Sequence, residues 1–221
     1  AAVSTVAVSR FLLSDLYRSQ RAVVPIIIQA ALLAILFGGD PGPLPAPWAA
    51  SALALYPIAA WLGIVVANTE DPIQRHVTAV AAGGVGRVVG GVLGLAVAGD
   101  VLLSLISVVW PVVATHYPHP LPVVALGLGG HLVCALTGTA VGLLCARPVI
   151  GKVGWSLLAA GTVVVVTGTQ SHLPPVGTVV RALTSGGPPG SGTVVVTGLV
   201  IAVLLAVLAA FVSARVALRS D

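Results

Sequence analysis

Charge is scarce in this sequence. Ten basic and six acidic residues in 221 make up 7% of the chain, where soluble domains carry about 25%. With 57% hydrophobic residues and a mean hydropathy of +1.10, a water-soluble core is excluded as the organising unit. This is the composition of an integral membrane protein. A helix bundle in lipid needs no separate cores, so residues 1–221 are expected to form a single transmembrane domain. Methionine is missing altogether, and the sequence is expected to begin after its initiator. Lysine occurs once, at Lys152; the abundance of Ala, Val, Gly and Pro is that of a GC-rich bacterial genome. The only cysteines are Cys134 and Cys145. On one helix they would stand about 16 Å apart, beyond the reach of a disulfide, and they read as packing residues.

Other absences exclude activities. There is no G-x-x-x-x-G-K-[ST] phosphate loop; "IGKVGW" at Ile150 lacks both the leading glycine and the Ser/Thr. No Gly-x-Ser-Gly nucleophile occurs, and "GSGTV" at Gly190 reads as linker. The chain is therefore expected to be no enzyme and to hold no cofactor. A net charge of +4 and a pI near 9.7 would suggest nucleic acid in a soluble protein. In a membrane protein they report loops retained on one side of the bilayer, and no nucleic-acid partner is expected. His116, His119 and His172 could together hold zinc or copper. Pro118 and Pro120 break any helical spacing among them, and no metal site is expected.

What is present is a series of six apolar runs, 23–37, 48–67, 88–114, 121–146, 153–169 and 193–213, against the roughly 20 residues a span needs. Turn chemistry separates them: "GGDPGPLPAP", "THYPHP", "ARPVIGK" and "QSHLPPVG…SGGPPGSG". The first run has the length of a signal-peptide core, but with five further spans behind it a retained helix is the better reading. With both termini on one side, every basic residue except Arg181 falls on that side. The termini are therefore expected in the cytoplasm. Ahead of the first span, residues 9–21 ("SRFLLSDLYRSQR") place Phe11, Leu12, Leu16 and Tyr17 on one helical face, as in a helix lying in the headgroup plane. Gly86, Gly90 and Gly94, then Gly138 and Gly142, recur every four residues. That spacing lets helices meet closely, within one chain or across a dimer.

The loop between the second and third runs, "VVANTEDPIQRHVTAVAAGGVGRVVGG", concentrates Glu70, Asp71, Arg75 and Arg87. Asn68 or Thr69 can cap a short helix there, Glu70 and Asp71 suit the positive end of its dipole, and Pro72 is tolerated in its first turn. Ile73, Val77 and Val80 share one face; Gln74, Arg75 and Thr78 lie on others. Gly83-Gly84 ends the helix. An apolar stripe with charged flanks, outside the lipid, is suited to a groove on a soluble partner.

This layout resembles the type-two ABC transporter permease family over nearly the whole chain: an interfacial helix, six spans, cytoplasmic ends and a coupling helix between the second and third spans. Glu70 resembles the family's acidic position, "PIQRHVTAVAAGG" stands where the middle of its loop motif belongs, and Arg87 resembles the basic position. The family's Gly-Thr-Leu is absent and Gly83-Gly84 stands in place of its proline. The resemblance implies an exporter's membrane subunit, with a separate ATPase subunit holding ATP and Mg on the cytoplasmic side of a bacterial plasma membrane. It implies a second permease copy or a homologue, a coupling helix bound through Glu70, Asp71, Ile73, Gln74, Arg75 and Val77, membrane lipid as a further partner, and a hydrophobic or amphipathic cargo. A short outer helix over 176–183 is also expected, with Arg181 at the outer mouth of the pathway.

Polar residues inside the apolar runs are costly and tend to face a bundle interior. Asp100 and His131 are accordingly pathway candidates with Arg181. Depth counting separates Asp100 and His131 by about 9 Å, against a direct pair. They also support an alternative from another class: an ion-coupled secondary transporter or channel using Asp100.

Overall fold

A computed structural model describes residues 5–115, 117–118 and 120–219, with Pro72 described by its backbone alone. The described residues form nine α-helices and no strand: α1 Thr5–Ser19, α2 Val23–Leu36, α3 Ala46–Ala67, α4 Pro72–Ala82, α5 Val85–Ala114, α6 Leu121–Cys145, α7 Val153–Gly168, α8 Val176–Thr184 and α9 Ser191–Ala217. Four of these, α3, α5, α6 and α9, are long and apolar enough to cross a membrane. A fifth span is reached if α1 and α2 count as one, although they meet at a 76° bend. The chain is a membrane-embedded all-helical protein with four or five spans by this measure. Two of the six expected runs are shorter helices: α2 has 14 residues and α7 has 16, or about 21 and 24 Å against a hydrocarbon core of about 30 Å. The α1–α2 corner is made at Gln20, whose φ of 54° lies in the left-handed region.

The centre of the molecule is the α3–α6 pair, and glycine makes it possible. A Cβ on Gly138 would run into the Tyr56 carbonyl oxygen, and one on Gly142 into that of Ala60; a Cβ on Gly63 would lie 3.2 Å from the Thr139 oxygen. In lipid there is little hydrophobic gain from pairing two apolar helices, so close backbone packing of this kind does the work. The Gly138/Gly142 repeat therefore serves contacts within the chain. Gly90 and Gly94 face Thr5 and Ser9 of α1, while Gly86 faces open space. Gly91, outside the four-residue repeat, is the tightest of this group: a Cβ there would stand 2.7 Å from Val8 Cγ1. Ser9 Oγ donates to the Gly91 carbonyl at 3.1 Å.

This contact corrects the expected face of α1. The buried residues are Val8, Leu12 and Leu16, at i, i+4 and i+8, and they share a cluster with Val88, Val92 and Ala96 of α5. Phe11 and Tyr17 are exposed. The glycine face of α5 accepts aliphatic side chains, and the aromatic residues are left on the outer side. At the opposite end of the bundle α8 tucks in beside α3, α6 and α9. Leu183 and Val179 pack over Gly130, and Val179 also meets Gly198. Gly130 lies about 14 Å along α6 from its start, so this short helix dips between the spans.

Candidate functional site

The α4 elbow is built from the ends inward. Asp71 is its N-cap, accepting from the Gln74 amide at 2.8 Å, and Pro72 occupies the first turn. Neither Asn68 nor Thr69 caps α4: Asn68 ends α3, and Thr69 Oγ1 turns back to the Val65 carbonyl. At the far end Gly83 adopts φ 77°, and the amides of Gly84 and Gly83 return to the carbonyls of Ala79 and Val80 at 2.8 and 3.1 Å. That is a Schellman closure, and it needs a left-handed residue at this position. Arg87 Nη1 donates to the Ala82 carbonyl, placing a cation on the negative end of the helix dipole.

One face of α4 is pinned. Thr78 Oγ1 donates to Glu70 Oε1, and Glu70 is buried. Arg75 Nη1 donates to the Arg147 carbonyl at 3.4 Å. Burial lowers the Arg75 pKa from its ordinary value, with the Glu70 charge opposing that shift. Asn68 Oδ1 accepts from the Arg147 amide at 3.4 Å, and its carbonyl accepts from Arg21 at 3.3 Å. The other face is bare: Ile73, Val77 and Val80 are 78%, 66% and 83% exposed. Of the residues expected to meet a partner, Ile73, Val77 and Asp71 are exposed, Gln74 and Arg75 are half-buried, and Glu70 is turned inward. Thr78, Asn68 and Arg147 complete the elbow. Their roles depend on contacts across the fold: the sequence marks Asn68 as a candidate cap, Thr78 as a polar position of the short helix and Arg147 as part of a basic turn, but not the bonds they make.

Within the bundle the polar candidates stay apart. His131 Nδ1 meets the Gly127 carbonyl at 2.8 Å and its Nε2 meets Ser51 Oγ at 2.9 Å. A carbonyl only accepts, so Nδ1 carries a proton, and in the neutral ring Nε2 accepts from Ser51. Asp100 is fully buried, and both its oxygens lack a partner, as do the hydroxyls of Ser104 one turn on and Thr139. Thr139 faces it from α6, eight positions beyond His131, or about 12 Å along the helix. Gln29 Nε2 donates to Ser107 Oγ at 2.8 Å and ties α2 to α5; a lone glutamine in an otherwise apolar run was the available signal for it.

At the α8 end Arg181 is exposed and donates to His172 Nδ1 at 3.0 Å. Tyr117 donates to both carboxylate oxygens of Asp40 at 3.0 Å. His116 and His119 lie outside the described residues. Among the described residues no three metal-ligating side chains cluster. Cys134 and Cys145 are free and buried. No protein-family model, no curated protein and no solved structure matches this chain.

Proposed function

We propose that this chain is the permease subunit of an ATP-driven exporter, moving a hydrophobic or amphipathic cargo out of the cytoplasm. The observation that carries the reading is α4. It is a short helix between two spans, capped at both ends, pinned along one face and bare along an apolar stripe of Ile73, Val77 and Val80. An exposed stripe at i, i+4 and i+7 on a rigidly held helix suits insertion into a groove on a soluble partner. In this reading α2 and α7 are the remaining two of six spans, tilted little or set in locally thin bilayer. Both termini and α4 lie in the cytoplasm of a bacterium.

The partner is an ATPase subunit that holds ATP and Mg. Closure of two such subunits over nucleotide would press on α4. The push would pass through Arg87 into α5, and through Arg75 and Arg147 into the turn before α7. Two arrangements of the spans that differ in cargo affinity would then be repopulated with each ATP cycle. A second permease copy or homologue completes the pathway.

The test is purification of the tagged protein in a mild detergent, with mass spectrometry of the proteins retained. A soluble subunit bearing a phosphate loop is expected, and Val77→Asp with Val80→Asp should release it. A protein that emerges intact and alone overturns the reading.

The unpartnered Asp100 carboxyl favours a second reading, ion-coupled transport. Transport that titrates with pH and loses that dependence in Asp100→Asn, with no ATPase bound, would put it first.

A further inference from the structure

On the α3–α7 side of the molecule two cavities run into one another. The first, about 580 Å³, opens at the α4 end of the bundle; the second, about 180 Å³, lies deeper between α3 and α7. Trp61, Ile64 and Leu157 line both, so together they make one recess with a polar mouth and an apolar shaft. The shaft follows matched stripes. α3 contributes positions at i, i+3, i+4 and i+7 counted from Pro57, and α7 does the same from Leu157. Seven residues of helix give it a depth of about 10 Å. Small residues keep it open: a Cβ added to Gly161 would meet nothing within 4 Å. That sets Gly161 apart from Gly138 and Gly142, whose missing side chains are occupied by another helix. In a bilayer such a shaft takes hydrocarbon, since water finds no polar partner there.

The mouth carries both signs of charge. Arg21 and Arg147 line it together with Asp15, Asp71 and Glu70, the last of which is buried and accepts from Thr78. Asn68 touches both residues, its carbonyl on the Arg21 guanidinium and its side chain on the backbone amide of Arg147. A guanidinium offers five N–H donors. Among the described residues the bonds take one from Arg21, to Asn68, and one from Arg147, Nε to the Gly151 carbonyl at 3.1 Å. The forks that remain have the geometry that binds phosphate oxygens in pairs. Trp61, half-buried where mouth becomes shaft, has the apolar body and polar N–H of residues that settle at headgroup depth.

We propose that this recess binds a zwitterionic glycerophospholipid. Its phosphate lies on Arg21 and Arg147, its headgroup amine near Asp15 and Asp71, and one acyl chain between α3 and α7. A neutral glycolipid would give the arginines no anion, and a free phosphate would leave the shaft unfilled. The site does not depend on the exporter reading, and its test involves neither nucleotide nor a partner protein.

Trp61 provides the probe. Purified protein in a maltoside detergent is titrated with phosphatidylethanolamine brominated on its acyl chains. Quenching of Trp61 is read as the difference between the unmodified protein and Trp61→Phe. Saturable quenching is expected, with brominated diacylglycerol of the same chains at least about tenfold weaker for want of the charge-assisted bonds. Arg21→Ala with Arg147→Ala should weaken the phospholipid by a similar factor. Gly161→Leu, which adds its atoms to open space, should abolish the quenching with the helical content unchanged. Equal quenching by diacylglycerol and phospholipid overturns the proposal, because contact with bulk hydrocarbon would then explain it. Displacement of the lipid by glycerophosphoethanolamine at the lipid's own affinity overturns it too, since the shaft would contribute nothing. The comparison of lipids is made on the unmodified protein, so it decides the matter even where a charge variant fails to fold.

Discussion

Arg75 Nη1 reaches the carbonyl oxygen of Arg147 at 3.4 Å, joining α4 to the turn between α6 and α7. With Thr78 on Glu70 and Arg87 on Ala82, it fixes α4 from three directions, and the apolar stripe is held outward as a consequence. Removing two of these ties by Arg75→Ala with Thr78→Val should release the helix without unfolding the bundle. Hydrogen bonds to charged groups are worth about 1.5–3 kcal/mol, and a partly exposed pair less. A combined loss of about 1–2 kcal/mol would speed amide exchange over 72–82 by roughly 5- to 30-fold, while amides of α3 and α6 stay protected. Unchanged exchange in α4 would mean that its caps alone hold it.

The elbow also marks how far the sequence could be read. Pro72 and Gly83 are chemically specific: one fits only a first turn and the other a left-handed exit, so both ends of α4 were legible to within a residue. The capping residue was not, because Asn68, Thr69 and Asp71 are all competent caps and the end of α3 claims the first. The buried face of α1 was misjudged for a different reason. Phe11 and Tyr17 are apolar enough to mark a core, but the choice between faces is made by Gly90, Gly91 and Gly94 some eighty positions away, which leave room for aliphatic side chains. The pairs Ser51–His131 and Gln29–Ser107 are separated by 80 and 78 positions. Nothing local selects them. Run length was legible for α2 and α7 as well as for α3, α5, α6 and α9; the corner at Gln20 was not, because that residue has no intrinsic claim to its conformation.

Tyr117 and Asp40 give a readable pH response outside the spans. The hydrogen bond to Asp40 raises the Tyr117 pKa above its ordinary 10.0, because it is the protonated phenol that donates. The folded state thus holds this proton more tightly than the unfolded chain. The contribution is fully present below the unfolded value and is lost as pH rises through the folded one. Ultraviolet titration should show a late-ionising component that disappears in Tyr117→Phe. Asp40→Asn should return it toward its ordinary value, and a titration unchanged by that substitution would break the assignment.

Glycine positions divide into two classes, and the division is measurable. At Gly142 an added side chain meets the Ala60 carbonyl and Gly63 across the α3–α6 contact. Neither can retreat by rotating a side chain. Gly142→Leu should force the helices apart, at a cost of about 3 kcal/mol or more, and the protein should lose its single gel-filtration peak. Gly86 sits in α5 with nothing near its missing Cβ. Gly86→Ala should be neutral or add about 0.5–1 kcal/mol, since alanine restricts the unfolded chain. If both variants behave alike, close packing is not what the repeat supplies.

His131 and Asp100 are both fully buried, yet removing their polarity should have opposite effects. His131 is satisfied at both nitrogens, so Ser51→Ala strands Nε2 in the bundle, a loss of about 1–3 kcal/mol. At about 2–4 °C per kcal/mol for a chain of this size, thermal unfolding should drop by several degrees. Asp100 accepts no hydrogen bond of ordinary geometry, although the Thr139 hydroxyl faces it, and a carboxylate so poorly paired is among the costliest groups to keep within a membrane. Asparagine has the same shape, carries no charge, and brings two N–H donors to the unpartnered oxygens of Ser104 and Thr139. Asp100→Asn should therefore unfold at the same temperature as the unmodified protein or above it. A drop comparable to that of Ser51→Ala would mean that the native state uses the carboxyl as an acid. The fold would then be keeping Asp100 for its proton, and the ion-coupled reading would move ahead of the exporter.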